Sequence, residues 1–217
     1  MNLESHTSGS SFHLTPKRIE GLQDGVFAIV MTLLVLEMHV PEAKSGPELR
    51  HALAETLPIL ITYVMTFVNL GIYWVGQQIQ FQIIERSDRV FAWIHVLFLM
   101  FVSLLPFTSA ILGKHSFEQT ASLVYGLNLI AIGITSYAGW AYASRYHRLT
   151  THDISDELVE SVKRRILVAP VAALVAILLS FFSMTLSNLC YLIILPYYIF
   201  PGQIDRFWQQ RAVPHKH

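Results

Sequence analysis

The residues able to do chemistry are few and unevenly placed. Asp24 stands at the start of the uncharged stretch GVFAIVMTLLVL, which Glu37 closes, and Arg18 precedes it by less than two turns of helix. A carboxylate at the edge of an apolar helix can hold a proton, accept hydrogen bonds from neighbouring helices, or complement the positive end of the helix dipole. Inside the stretch, at about 100° per residue, Leu33 falls about 40° to one side of Ile29 and Leu36 about 20° to the other. With Val40 they form one narrow bulky stripe; Thr32 flanks it and Asp24 points away. Such a stripe packs in a bundle, faces lipid or, around a narrow passage, excludes water.

Further along, Trp74, Gln77 and Gln78 close a second apolar run, and Trp93 and His95 open a third at the same depth. Arg18, Asp24, Trp74, Gln77 and His95 are therefore expected to gather in one polar cluster. Of ten histidines, His95 alone lies well inside an apolar run. Cys190 is the single cysteine, so no internal disulfide or multi-cysteine metal site can form. Neither HExxH nor GxSxG occurs, and no enzyme chemistry is indicated.

The elements that must position these residues are membrane helices. Of 217 residues, 53% are hydrophobic and 14% charged, with mean hydropathy +0.46. Soluble domains carry about 25% charge. Fifteen Lys+Arg balance fifteen Asp+Glu, so no basic field exists to bind nucleic acid. Charge-free runs at 56–84, 90–113, 119–144 and 166–204 each reach the roughly 20 residues that a span requires. The last run is long enough for a hairpin, with a turn expected near Ser187–Asn188. Six spans follow, at 22–40, 57–78, 90–112, 120–143, 166–185 and 188–204, the first ended by Pro41. They place a transmembrane domain at 22–204 between polar tails 1–21 and 205–217; the first tail lacks an apolar signal core. A short helix is expected at 151–166, leading into the fifth span.

Of the Lys+Arg, all but Lys44, Arg50 and Lys114 lie on the side that holds both termini, the 79–89 loop and the 144–165 segment. That bias puts both termini in the cytoplasm of a multi-pass plasma-membrane protein. The opposite loop, 37–55, has a slight acidic excess that would either concentrate cations or simply be solvated.

RIEGLQDGVFAIVMTLLVLEMHVPE at 18–42 resembles the first helix of prokaryotic members of the transmembrane protein 175 family, the bacterial relatives of an endolysosomal potassium channel. GIYWVGQQ at 71–78 resembles that family's second-helix Trp motif, and LFLMFVSLLPFTSAILG at 97–113 its third helix. The resemblance implies an all-α integral membrane protein of six transmembrane helices per subunit, assembled as a homotetramer in the lipid bilayer. It implies a potassium-selective channel for monovalent cations, with no TVGYG filter loop; the sequence contains none. First helices would line the pore, with Ile29, Leu33 and Leu36 as constriction, Thr32 beside them, and Arg18 and Asp24 in an anchoring motif. No cofactor or bound metal is implied beyond permeant potassium. Two departures stand out: the family's Phe-Ser-Asp reads Leu22-Gln23-Asp24, and the His common after the Trp gives way to Gly76-Gln77-Gln78.

The alternative is a proton- or cation-coupled secondary transporter using Asp24, His95 and the span-two face Asn69, Tyr73 and Gln77. The sequence shows no inverted repeat or paired broken helices of the kind such carriers use.

Overall fold

A computed structural model describes residues 15–38, 40, 42–43, 45–151 and 154–199. Among them are seven α-helices: α1 (Pro16–Leu36), α2 (Gly46–Phe81), α3 (Arg89–Ser103), α4 (Leu105–Lys114), α5 (Gln119–Ser144), α6 (Asp156–Ser180) and α7 (Met184–Ile199). Four helical segments are long and apolar enough to cross a membrane: α1, α2, the α3–α4 pair and α5. The α3–α4 pair breaks at Leu104 because Pro106 follows in the first turn of α4, supplying no N–H and disfavouring helical geometry at the preceding residue.

Several boundaries differ from the sequence expectation, each for a local reason. α1 begins at Pro16, not Leu22: proline is suited to the first helical position, and Ile19 is buried with Phe81, Ile84 and Phe91. The tail 1–21 therefore contributes the first turns of α1. α1 also ends at Leu36, so Val40 lies beyond the helix and leaves the stripe; Pro41 falls outside the described residues. α2 starts at Gly46, where Ser45 accepts a hydrogen bond from the Glu48 amide and Pro47 occupies the first turn. Most of the expected 37–55 loop is thus helix. At about 1.5 Å per residue α2 is about 54 Å long, and its first turns project beyond a 30 Å hydrocarbon core. The helix expected at 151–166 starts at Asp156, where Ser155 caps it through the Leu158 amide, and it is continuous with the fifth span, running unbroken to Ser180.

The last hairpin turns at Phe181–Ser183, not at Ser187–Asn188. Ser183 accepts from the Leu186 amide at the start of α7. Ser187 is fully buried and shares a 2.8 Å hydrogen bond with Ser122 of α5, while Asn188 donates to the Ser116 carbonyl. These polar residues tie helices together instead of marking a turn.

α5 is the central post, buried on several sides among α3, α4, α6 and α7. Small residues let the neighbours approach. A Cβ on Gly133 would lie 2.6 Å from the Pro170 ring of α6, and one on Gly126 would lie 2.4 Å from the Tyr191 hydroxyl of α7. Ala169, Ala173 and Ala176 supply the matching small surface of α6. The core unites Phe27, Val30 and Leu34 of α1 with Leu70, Phe98, Val102, Tyr125 and Ile132.

At one end, the α2–α3 connection is clamped to the segment after α5. Ile84 and Thr150 form an isolated antiparallel bridge. Asp88 caps α3 through the Phe91 amide at 2.9 Å, accepts from the Tyr142 hydroxyl at 2.7 Å and pairs with Arg148 at 3.3 Å. Partial removal from water opposes ionisation of this carboxyl, but the Phe91 and Val90 amides, the Tyr142 hydroxyl and Arg148 together hold it below the ordinary Asp value. A lowered folded-state pKa makes the stabilisation fully present above the unfolded-state value of 3.8, and lost as pH falls through the folded value. Asp88→Ala is expected to cost about 1 kcal/mol through loss of the cap. Asp88→Asn should keep most of the cap and lessen the loss of stability below pH 4. Thermal melts in detergent across acidic pH check both; an unchanged acid limb in Asp88→Asn would refute the assignment.

Candidate pore helix and its anchor

α1 carries three kinds of surface. Gln23, Phe27, Val30 and Leu34 face the core and are buried. Asp24 faces α2. The remaining side is uncovered in the subunit: Ile29 is 60% exposed, Leu33 41% and Leu36 70%, with Gly25, Ala28 and Thr32 alongside. The Thr32 hydroxyl donates to the Ile29 carbonyl at 2.7 Å, which keeps its oxygen lone pairs available on the open side.

The anchor is built from two residues of α2. The Trp74 indole N–H and the Gln78 amide each donate to Asp24 Oδ1 at 2.8 Å. Trp74 and Gln78 are one turn apart, the spacing that places two side chains on one helix face.

The expected five-residue cluster is only partly assembled. Asp24 and Trp74 meet, but Gln77 does not join them: its amide donates to Ser136 of α5 at 3.0 Å on the far side of α2. Gln78 takes that place. Spacing alone did not decide this: Gln77 lies about 60° round the helix from Trp74, on the side of Tyr73 and Asn69, while Gln78 lies about 40° from Trp74 on the other side. Asn69 and Thr66 meet the Tyr125 hydroxyl of α5, at 3.5 and 3.2 Å. His95 also lies apart, buried within rings of Phe81, Phe91 and Phe98 at centroid distances of 5.2 to 6.0 Å. Its Nε2 and both amide atoms of Gln23 are buried without a hydrogen-bond partner among the described residues. Groups of this kind are commonly satisfied by ordered water. Arg18 is exposed; it and His95 line a cleft between the starts of α1 and α3. Among the described residues no three His, Cys, Asp or Glu side chains gather to hold a metal ion.

The family model described as endosomal/lysosomal potassium channel TMEM175 matches residues 18–106, from Arg18 through the first turn of α4. A potassium channel of Streptomyces collinus is 30% identical over 201 residues, covering 91% of this chain and 97% of that protein. The chain belongs to the TMEM175 family. Within this family, the crystal structure of a lysosomal potassium-selective channel TMEM175 homolog from Chamaesiphon minutus superposes with TM-score 0.75 at 30% identity, covering 84% of this chain and 95% of the other. The endosomal/lysosomal proton channel TMEM175 of Gallus gallus is 30% identical over 163 residues, covering 70% of this chain but 32% of that longer protein. The matched region holds both the anchor and the uncovered stripe of α1.

If Trp74 and Gln78 hold Asp24 as the geometry indicates, Trp74→Phe and Asp24→Asn should each lower the melting temperature in detergent. Their double-mutant cycle should show a coupling of about 1 kcal/mol. Strict additivity would mean that the indole bond contributes nothing to the fold.

Proposed function

We propose that the protein is a potassium-selective cation channel whose ions pass a hydrophobic constriction formed by α1 from each of four subunits. The observation that carries this reading is the uncovered face of α1. Ile29, Leu33 and Leu36 remain open along one stripe of a helix that meets the core on one side and α2 at Asp24; Leu22 is exposed in line with the stripe and Val35 off it, toward the Asp24 side. The potassium-channel names of bacterial relatives covering most of the chain support it.

Each subunit then crosses the membrane six times, with α3 and α4 as one span and α6 and α7 as the last two. The domain layout keeps the channel region between two cytoplasmic tails; residues 1–14 and 200–217 lie outside those described. The basic excess at the end holding the α1 start, Arg86, Arg89 and the 144–165 segment supports a cytoplasmic location for that end in a plasma-membrane protein. No cofactor is required, and the permeant cations are cargo.

The chemistry is that of a ring without oxygen ligands. Stripping an ion of water there is expensive, so a narrow ring of isoleucine and leucine closes by dewetting. Potassium holds its hydration shell less tightly than sodium, which gives the ring a weak to moderate preference for potassium. Thr32 can offer its hydroxyl oxygen to an ion beside the ring, since its proton is committed to the Ile29 carbonyl. The transporter alternative is less well supported: Asn69 and Gln77 are engaged with Tyr125 and Ser136 in cross-links between α2 and α5.

Ile29→Asn should raise potassium flux into liposomes and lower the potassium-to-sodium ratio. Unitary current steps in a planar bilayer should accompany the flux. Identical conduction by parent and variant, or saturating flux with no unitary steps, would overturn the reading.

A further inference from the structure

The opposite side of α2 from the anchor borders a crevice closed by α5, α6 and α7. Its walls include Ile72, Tyr73 and Gly76 of α2, Arg165 and Ile166 of α6, and Tyr198 of α7. Only about 50 Å³ of it is enclosed, far below the about 300–1,000 Å³ of a site that swallows a small molecule, so it is a narrow groove suited to a single chain lying along it. The lining is mainly apolar, and the polar groups are specific. The Tyr73 hydroxyl is buried without a hydrogen-bond partner among the described residues. The Arg165 guanidinium donates to the Tyr198 carbonyl at 3.3 Å and lies 5.8 Å from that residue's ring centroid.

Gly76 is the informative residue. A Cβ built there meets nothing within 4 Å, so no neighbouring helix in the subunit requires glycine at this position. Glycine inside a helix costs about 1 kcal/mol relative to alanine. Its effect here is to widen the crevice. Arg165 belongs to the run Lys163-Arg164-Arg165 at the start of the fifth span, the end assigned above to the cytoplasm. Clustered basic residues at that depth attract anionic lipid headgroups.

We propose that this crevice binds a phospholipid of the cytoplasmic leaflet, one acyl chain lying along Ile72, Gly76 and Ile166 and its anionic headgroup meeting Arg165. Two independent features fit that occupant: apolar walls widened at a glycine, and a cation at one edge. The lipid backs the same helix whose other face holds Asp24, so its presence steadies the partner against which α1 is anchored. Only the leaflet and the consequence for current rest on the channel reading; binding itself does not.

The test uses the purified protein in detergent, with lipid retention read by native mass spectrometry. Phosphatidylglycerol should be retained, and phosphatidylcholine with the same acyl chains should bind about tenfold more weakly, a difference of about 1.4 kcal/mol. Gly76→Phe fills the crevice and Arg165→Gln removes its cation; each should weaken phosphatidylglycerol retention to a similar degree. Gly71→Phe, at the other α2 glycine with open space beside it, should leave retention unchanged. Melting temperatures confirm that each variant is folded, and Gly76→Val replaces the phenylalanine variant if that one fails to fold. Equal retention of the two lipids would overturn the proposal, as would parent-like retention by the folded Gly76 variant. Displacement of the lipid by millimolar inorganic phosphate would show a simple anion site and overturn it too. In liposomes, potassium flux should rise with phosphatidylglycerol content in the parent and not in Gly76→Phe. Absence of flux in every lipid, with selective retention intact, would overturn the channel reading and leave the crevice assignment standing.

Discussion

The rotation of α1 about its own axis is the constraint on which the rest depends. Two elements fix it. Phe27, Val30 and Leu34 bury one side in the core, and the Asp24 carboxylate takes two donors from α2 on a second side. The third side has no remaining choice: Ile29, Leu33 and Leu36 point out of the subunit. A hydrophobic contact alone is non-directional and tolerates rotation of some tens of degrees. Two charge-assisted hydrogen bonds to one oxygen do not, because such bonds weaken steeply as they bend. The carboxylate is therefore useful to the apolar stripe although it touches none of it.

That anchor requires a fixed α2, and α2 is fixed by polar pairing in a mostly apolar setting. Within lipid a backbone or side-chain polar group has no water to fall back on, so it must find a partner inside the protein. The second face of α2 does so through Thr66 and Asn69 with the Tyr125 hydroxyl and Gln77 with Ser136. Gly126 and Gly133 let α7 and α6 pack closely on the other sides of α5 and so hold that helix in place. The order of dependence runs from the cross-links between α5 and α2, to the carboxylate on α1, to the direction of the stripe.

Much of the arrangement was legible in the sequence, and the failures share a cause. Charge-free runs locate helices because burying a charge in hydrocarbon is costly, and the about 100° repeat places the stripe and Asp24 on different faces of α1. Neither signal says where a helix continues past the apolar zone. Ser45 with Glu48, Ser155 and Pro16 do, and they extend α2, α6 and α1 well outside the expected limits. Polar residues near a suspected turn misled in the opposite sense. Ser187 and Asn188 are interhelical partners, a role that becomes visible only once Ser122 and Ser116 are brought beside them. The Asp88–Tyr142–Arg148 clamp joins residues more than fifty positions apart, and no local pattern reports such a meeting.

The two departures from the family pattern now have distinct physical meanings. The sequence after Trp74 reads Gly76-Gln77-Gln78 where the family resemblance implied a histidine, and Gln78 supplies an amide donor to Asp24. An amide does not titrate, so this donor is the same at any ordinary pH. The histidine this chain does carry nearby, His95, is boxed by three phenylalanines and stands apart from the anchor. Gln23, where the family resemblance implied a serine, is fully buried with no protein partner for its amide among the described residues. The orientation of α1 therefore leans on α2, whose Trp74 and Gln78 both hold the Asp24 carboxylate.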